Sequence, residues 1–146
     1  MEIRKLTPDE LPSALDLIWE TFLQFEALDY AAEGVQSFKA FLDLDDRSTI
    51  ATLEFFGALD EGELLGVLAV NQGRRHICCF FVRAQQQKQG IGRKLWEYLL
   101  ANSREECFTV HSSPYAVPVY HKLGFVDTGT EQVSDGIRYT PMKYTR

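Results

Sequence analysis

The sequence predicts an α+β fold, with helices on both faces of a mixed sheet. Two helix-period apolar stripes occupy the first third of the chain. β-type runs dominate from residue 54 to residue 83. One of them, Ile77-Cys78-Cys79-Phe80-Phe81-Val82, is apolar without alternation, which marks a central strand covered on both sides. A length of 146 residues suits one domain, 1–146, with one core.

The elements follow in order. Residues 2–6 read as an opening strand. Thr7-Pro8-Asp9-Glu10 is a helix start, with Thr7 as N-cap, Pro8 at the first helical position and Glu10 closing a capping box. The first helix then sets Leu11, Leu15, Ile18, Phe22 and Phe25 on one stripe. A second, over 33–42, turns Val35, Phe38, Phe41 and Leu42 inward. Residues 46–53 are ambiguous and compatible with a helical turn. Runs at 54–60 and 63–71 flank a hairpin turn at Asp60-Glu61-Gly62-Glu63. The central strand spans 76–83, and a helix over 89–101 turns Ile91, Leu95, Trp96 and Leu99 to the sheet. Residues 107–111 form a strand and 115–123 a short helix ended by Gly124. Strands at 125–127 and 137–144 close the chain. No repeat, linker or low-complexity segment interrupts this order.

Composition narrows the function. No apolar run reaches the roughly 18 residues that a membrane span needs. The N-terminus leads into a charged helix pattern and not a signal-peptide apolar region. Three cysteines make no full disulfide set and show no metal-ligand spacing, so a reduced, cytoplasmic setting without a bound metal is the simplest reading. Net charge is −6, yet residues 64–96 hold Arg74, Arg75, Arg83, Lys88, Arg93 and Lys94 and no carboxylate. This is the pattern of an anion site on an otherwise acidic protein, and an acidic exterior argues against nucleic-acid binding.

The junction after the central strand is the most informative segment. Its helix has Gly90 and Gly92 in the first turn, each costing about 0.8–1 kcal/mol against alanine in a helix interior. No Ser, Thr, Asp or Asn stands ready to cap it. Free N–H groups, partial positive charge, no obstructing Cβ and three nearby cations (Lys88, Arg93, Lys94) together suit a phosphate or pyrophosphate. The Walker pattern is absent, and Leu95 occupies the third glycine position of the dinucleotide fingerprint. Gly-x-Gly alone also fits a tight turn with close helix packing.

Gln87-x-x-Gly90-x-Gly92 after an apolar strand resembles the cofactor motif of the GNAT superfamily of N-acetyltransferases. Pro114-Tyr115-Ala116-Val117-Pro118-Val119-Tyr120-His121-Lys122-Leu123-Gly124-Phe125 is similar to the later motif of that superfamily, a tyrosine followed by a short spacer and Leu-Gly-Phe. The resemblance covers nearly the whole chain. It implies a GNAT-like, mostly antiparallel sheet of about six to seven strands, whose fourth and fifth strands splay apart around acetyl-CoA as co-substrate. It further implies that main-chain groups of Phe80, Phe81 and Val82 meet the pantetheine arm. Main-chain N–H groups along Gln87, Lys88, Gln89, Gly90, Ile91, Gly92 and Arg93 would wrap the pyrophosphate. Arg83, Lys88, Arg93 and Lys94 are candidates for the 3′-phosphate.

The implied reaction is direct attack by a small-molecule or peptide amine in a ternary complex. A backbone N–H near Phe81 or Val82 would stabilise the oxyanion, and Tyr120 would donate a proton to the leaving thiolate. A core aromatic is the alternative role for Tyr120. The base is not named by the sequence; Glu26, Asp29, Tyr30, His111 and Glu54 are the candidates. Many relatives carry an asparagine before the short helix, where this chain has Ser112 and Ser113. Ser113 is therefore a candidate cofactor contact and equally a helix cap. Pro118 should bend or delay the short helix. Cys78, Cys79 and Cys107 read as small core residues rather than nucleophiles. The acidic remainder favours a cationic acceptor such as a polyamine, an aminoglycoside or a lysine side chain. Homodimers are frequent in the superfamily and are an expectation here. A non-catalytic acyl-CoA-binding or sensor module, and an accessory protein that uses the fold only as an interaction surface, are the competing classes.

Overall fold

The computed structural model describes residues 1–44 and 48–146. Strand β1 (Glu2–Lys5) leads through a 3₁₀ turn (Pro8–Glu10) into α1 (Leu11–Phe25). The Glu10 carboxylate accepts the Thr7 N–H at 2.9 Å and the Arg4 guanidinium at 2.7 and 2.8 Å, so the capping box also fixes β1 to the helix start. Helix α2 (Ala32–Phe41) follows, and Thr49–Thr52 is a 3₁₀ turn. Of the segment 46–53 read as ambiguous, residues 46 and 47 lie outside the described residues.

Strands β2 (Glu54–Asp60), β3 (Glu63–Val70) and β4 (His76–Val82) form an antiparallel meander beside β1. The β2–β3 turn is tight because Glu61 and Gly62 both take positive φ, 51° and 82°. Helix α3 (Ile91–Ala101) crosses to β5 (Cys107–Ser112), then α4 (Val117–Leu123), β6 (Val126–Asp127), β7 (Gln132–Ser134) and β8 (Ile137–Thr145) complete the chain. The order across the sheet is β1-β2-β3-β4-β5-β8-β6, with β7 paired to β8. Among the described residues there are eight strands, one more than the seven read from the sequence. The addition, β7, is closed onto β8 by Asp135-Gly136, with φ of 53° and 78°.

The sheet separates two apolar layers. On one side α1 packs Ala14, Leu17, Ile18 and Phe22 against Phe55, Val67, Ala69 and Phe81. The buried face of α1 is thus rotated from the expected stripe. Ala14 and Leu17 are buried, whereas Leu11 and Leu15 lie at the margin and Phe25 stacks on Tyr115 at 5.2 Å. On the other side Ile91, Leu95, Trp96 and Leu99 of α3 cover Phe56, Leu68 and Phe108. β4 feeds both layers, as its unbroken apolar run requires. A bulge opposite Ala69/Val70 leaves Cys78 without a partner on β3, so Ile77 joins the α3 layer while Cys79 and Phe81 join the α1 layer. Pro118 is accommodated by delay: α4 begins at Val117, two residues late, where the missing N–H breaks no helical bond. Gly124 ends it with φ of 105°.

Helix α2 rests on the β7–β8 turn. A Cβ on Gly34 would overlap the Gly136 carbonyl, while Ser37 Oγ donates to the Asp135 carbonyl at 2.7 Å. Arg138 of β8 donates to the Asp29 carbonyl at 2.9 Å. Alanine normally stabilises a helix relative to glycine. At this backbone-to-backbone contact the order is reversed: Gly34→Ala should destabilise the protein by about 2 kcal/mol or more, measured by urea unfolding.

Candidate active site

β4 and β5 run parallel but pair only at His76↔Thr109 and Ile77↔Val110. β5 stays paired to β8 along its whole length, from Cys107 to Ser112. The two strands therefore part, and the edge of β4 from Cys78 to Val82 that faces β5 has no strand beside it. A cavity of about 420 Å³ lies along this gap, walled by Phe80 and Val82 of β4, the start of α3 and Tyr120 and Leu123 of α4.

The head of α3 opens into the cavity. Gly90 is its N-cap in the left-handed conformation, with φ of 82°, and no side chain caps the helix. The first hydrogen bond of the ladder runs from Lys94 N–H to Gly90 O, leaving the N–H groups of Ile91, Gly92 and Arg93 without an acceptor among the described residues. Open space surrounds Gly90, and a Cβ on Gly92 would make only ordinary contacts with Phe80 and Val82, at 3.7–3.8 Å. Packing thus demands glycine at neither position, although the positive φ at 90 does favour it. Lys88 also takes a positive φ, 65°, and so turns the loop around the helix head. The loop is braced from below. Gln87 donates from Nε2 to the Val82 carbonyl at 3.0 Å, and its Oε1 accepts from the Tyr115 hydroxyl at 3.2 Å.

The cluster of cations divides in two. Arg74 pairs with Glu54, Arg75 with Glu105, and Arg83 with Glu20 while also donating to the Leu64 carbonyl. These three are engaged by carboxylates of other segments. Lys88 and Arg93 line the cavity, Arg93 reaching the Lys122 carbonyl at 3.2 Å, and Lys94 is exposed on α3 outside the lining. Sequence reasoning placed Arg83 among the phosphate candidates; its guanidinium is committed elsewhere.

A second cavity of about 410 Å³ lies on the α1–α2 side. Glu26, Phe80, Phe81, Ala116 and Tyr120 line both cavities, so Glu26 and Tyr120 are the titratable groups at their junction. Tyr120 is 5% exposed, and its hydroxyl makes no hydrogen bond among the described residues. Burial first, then the Glu26 carboxylate, hold it well above the usual phenol range, so it stays protonated. Burial pushes the Glu26 carboxyl up to about 7, helped by Asp29 and opposed by a hydrogen bond with Ser113. Ser113 Oγ also accepts the Ala116 N–H at 3.3 Å, a capping role ahead of α4, and Ser113 lines the second cavity rather than the first.

The other candidate bases are placed less well. Glu54 is held by Arg74 and Lys5. His111 lines the second cavity but stacks on Tyr139 at 4.4 Å and is exposed. Asp29 lines neither cavity, and Tyr30 lines the second only. Burial raises the Cys78 thiol to about 11 and Cys79 further, leaving neither as a thiolate. The strut formed by Phe25, Tyr115 and Gln87 escaped the sequence reading, although Tyr115 sits inside the later motif.

Structural comparison finds the same architecture in proteins of distant sequence. A GCN5-related N-acetyltransferase from Rhodopseudomonas palustris superposes with a TM-score of 0.81 at 20% identity, covering 99% of this chain and 95% of that one. The PaiA N-acetyltransferase of Thermoplasma acidophilum, solved in complex with coenzyme A, gives 0.76 at 17% identity over 99% and 98% of the two chains. An aminoglycoside 6′-N-acetyltransferase complexed with coenzyme A gives 0.67 at 15% over 99% and 97%. Direct comparison with curated protein sequences finds no match. Fold and sheet topology match those of the three proteins. Residues 26–146 match the model of the acetyltransferase (GNAT) domain, and the chain belongs to that family. Among the described residues no helix is long and apolar enough to cross a membrane.

Two predictions follow from the geometry. Gly92→Ala should raise the stability of the ligand-free protein by about 0.5–1 kcal/mol in urea unfolding, since only helix propensity changes there. The Glu26 carboxyl, raised from 4.5 to about 7, keeps its proton in the folded chain where the unfolded chain has lost it. Its contribution to stability is therefore complete below pH 4.5, falls as pH rises, and is fully lost above about 7. Glu26→Gln should abolish this fall, gaining on the order of 2 kcal/mol over the parent between pH 5 and 8 in parallel urea titrations.

Proposed function

We propose that this protein transfers an acetyl group from acetyl-CoA to a primary amine by direct attack in a ternary complex. The carrying observation is the uncapped head of α3, which opens onto the very gap where β4 lacks a neighbour and at whose inner end Tyr120 and Glu26 meet. That two structurally similar enzymes were solved with coenzyme A supports the same ligand here.

The residues divide the work along the cleft. The N–H groups of Ile91, Gly92 and Arg93, with the turn Lys88-Gln89-Gly90, hold the pyrophosphate, and Lys88 and Arg93 add charge for the phosphates. Gln87 acts through its bonds to Val82 and Tyr115, which keep this turn in place. The edge of β4 turned away from β3 along Phe80, Phe81 and Val82, apart from the Val82 carbonyl held by Gln87, offers hydrogen bonds to the pantetheine amides and an N–H to the carbonyl under attack. Ser113 acts through Glu26 and the start of α4 rather than on the pantetheine arm.

When bound, acetyl-CoA supplies a thioester: a C–N bond to the amine forms, the C–S bond breaks, and the coenzyme leaves as its thiol. Alkylamines have pKa values near 10 and must first lose a proton. Glu26, with its carboxyl near 7, is placed to take that proton. Tyr120, kept protonated by burial, supplies a proton to the departing sulfur.

Acetyl-CoA at about 100 times its Kd should stabilise the protein by about 2.7 kcal/mol, raising Tm by about 5 °C or more. Absence of any shift at millimolar acetyl-CoA would refute the reading. Tyr120→Phe should keep that shift while lowering kcat about 10²-fold or more in a thiol-release assay. Unchanged kcat across a pH series would pass the donor role to water.

A further inference from the structure

The second cavity has its own chemistry. One side of its wall is aromatic, contributed by Phe22 of α1, Phe38 and Phe41 of α2, Phe81 of β4 and Tyr30 of the connection between the helices, and Ser37, His111 and Ser113 stand among its polar lining. These rings form one contiguous array. Phe22 stacks on Phe38 at 4.2 Å and meets Tyr30 at 5.6 Å, and Phe38 meets Phe81 at 6.1 Å and Phe41 at 6.2 Å. The lining holds two carboxylates, Glu26 and Asp135, and no Lys or Arg among the described residues. His76 in the same wall is held below the usual imidazole range by burial and by His111, and its Nδ1 is bonded to the Thr109 hydroxyl at 2.8 Å.

Resting on the transferase reading above, we propose that this cavity receives the acceptor, and that the acceptor is a monoamine on an apolar aryl or alkyl body without a carboxylate. The amine end is directed to Glu26, at the junction with the cofactor cavity. The apolar body lies on the rings, where burial is favourable by about 25 cal/mol per Å² and an ammonium close to an aromatic face is also attracted. A volume of about 410 Å³ accommodates a single-ring amine with its linker. A free amino acid would bring its carboxylate beside Glu26 and Asp135 with no cation to receive it. A polyamine brings no apolar body to the rings and desolvates its further ammonium groups against them even with Asp135 in the wall, and the many hydroxyls of an aminoglycoside would lose water against the same rings. The cavity therefore selects more narrowly than the acidic composition of the chain suggested.

Thiol release from acetyl-CoA, measured with phenylethylamine, phenylalanine and spermidine, tests this directly. Phenylethylamine should exceed phenylalanine in kcat/KM by about 100-fold, since the two differ only in the carboxylate, and exceed spermidine by about 10-fold. Phe41→Lys should raise KM for phenylethylamine by about 10-fold or more while leaving the acetyl-CoA melting shift unchanged. Preference for phenylalanine or spermidine with that shift intact overturns the inference and leaves the transferase standing. A melting shift without turnover of any of the three, and without binding of phenylethylamine to coenzyme A-saturated protein by calorimetry, overturns it equally. Loss of both the shift and all turnover instead overturns the transferase reading beneath it.

Discussion

Everything in the site depends on the early end of the pairing between β4 and β5. Two parallel strands that stayed together would satisfy each other's backbone and fill the space between their faces. Here they meet at two residue pairs and then separate, because β5 is held throughout by β8 while β4 is held by β3. The cost is a row of backbone groups without a sheet partner, tolerable only where water or a ligand reaches them. The bulge at Cys78 falls just where the strands part, adding local twist at that point.

The second element is electrostatic. An acidic chain concentrates its cations in one stretch, and the fold then sorts them. Arg74, Arg75 and Arg83 are neutralised by carboxylates from distant segments, and Lys88 and Arg93 are left beside the uncapped head of α3. The same charges that look like one patch in sequence serve two purposes in space. Within the cleft the neutral hydroxyl of Tyr120 and the partly protonated carboxyl of Glu26 are products of burial, which fits the two to the opposite proton roles proposed for them.

Much of this was legible in the sequence, and for identifiable reasons. The glycines at 90 and 92 and the missing cap point to the helix head because local backbone rules suffice there. The apolar run 77–82 marks a two-sided strand for the same reason. What escaped is non-local. The rotation of α1, which buries Ala14 and Leu17 and leaves Phe25 for Tyr115, is decided by what the sheet presents. The pairing of Arg83 with Glu20 joins residues from different elements. Glu26 was one name among several carboxylates until burial and its place between two cavities separated it from Glu54, which is engaged by Arg74. The short strand β7 carried an Asp-Gly hairpin signal at its end, but three exposed residues have too little pattern to stand out.

The seating of α2 on the β7–β8 turn has a consequence for the two cavities. Three of its ties (the Gly34–Gly136 approach, Ser37 to Asp135, and Arg138 to the neighbouring Asp29) are made to the far end of the chain and not to α3 or its loop. The helix thus behaves as an exchangeable panel clipped to a fixed frame. Replacement of its inward side chains would reshape the second cavity while leaving α3 and its loop untouched.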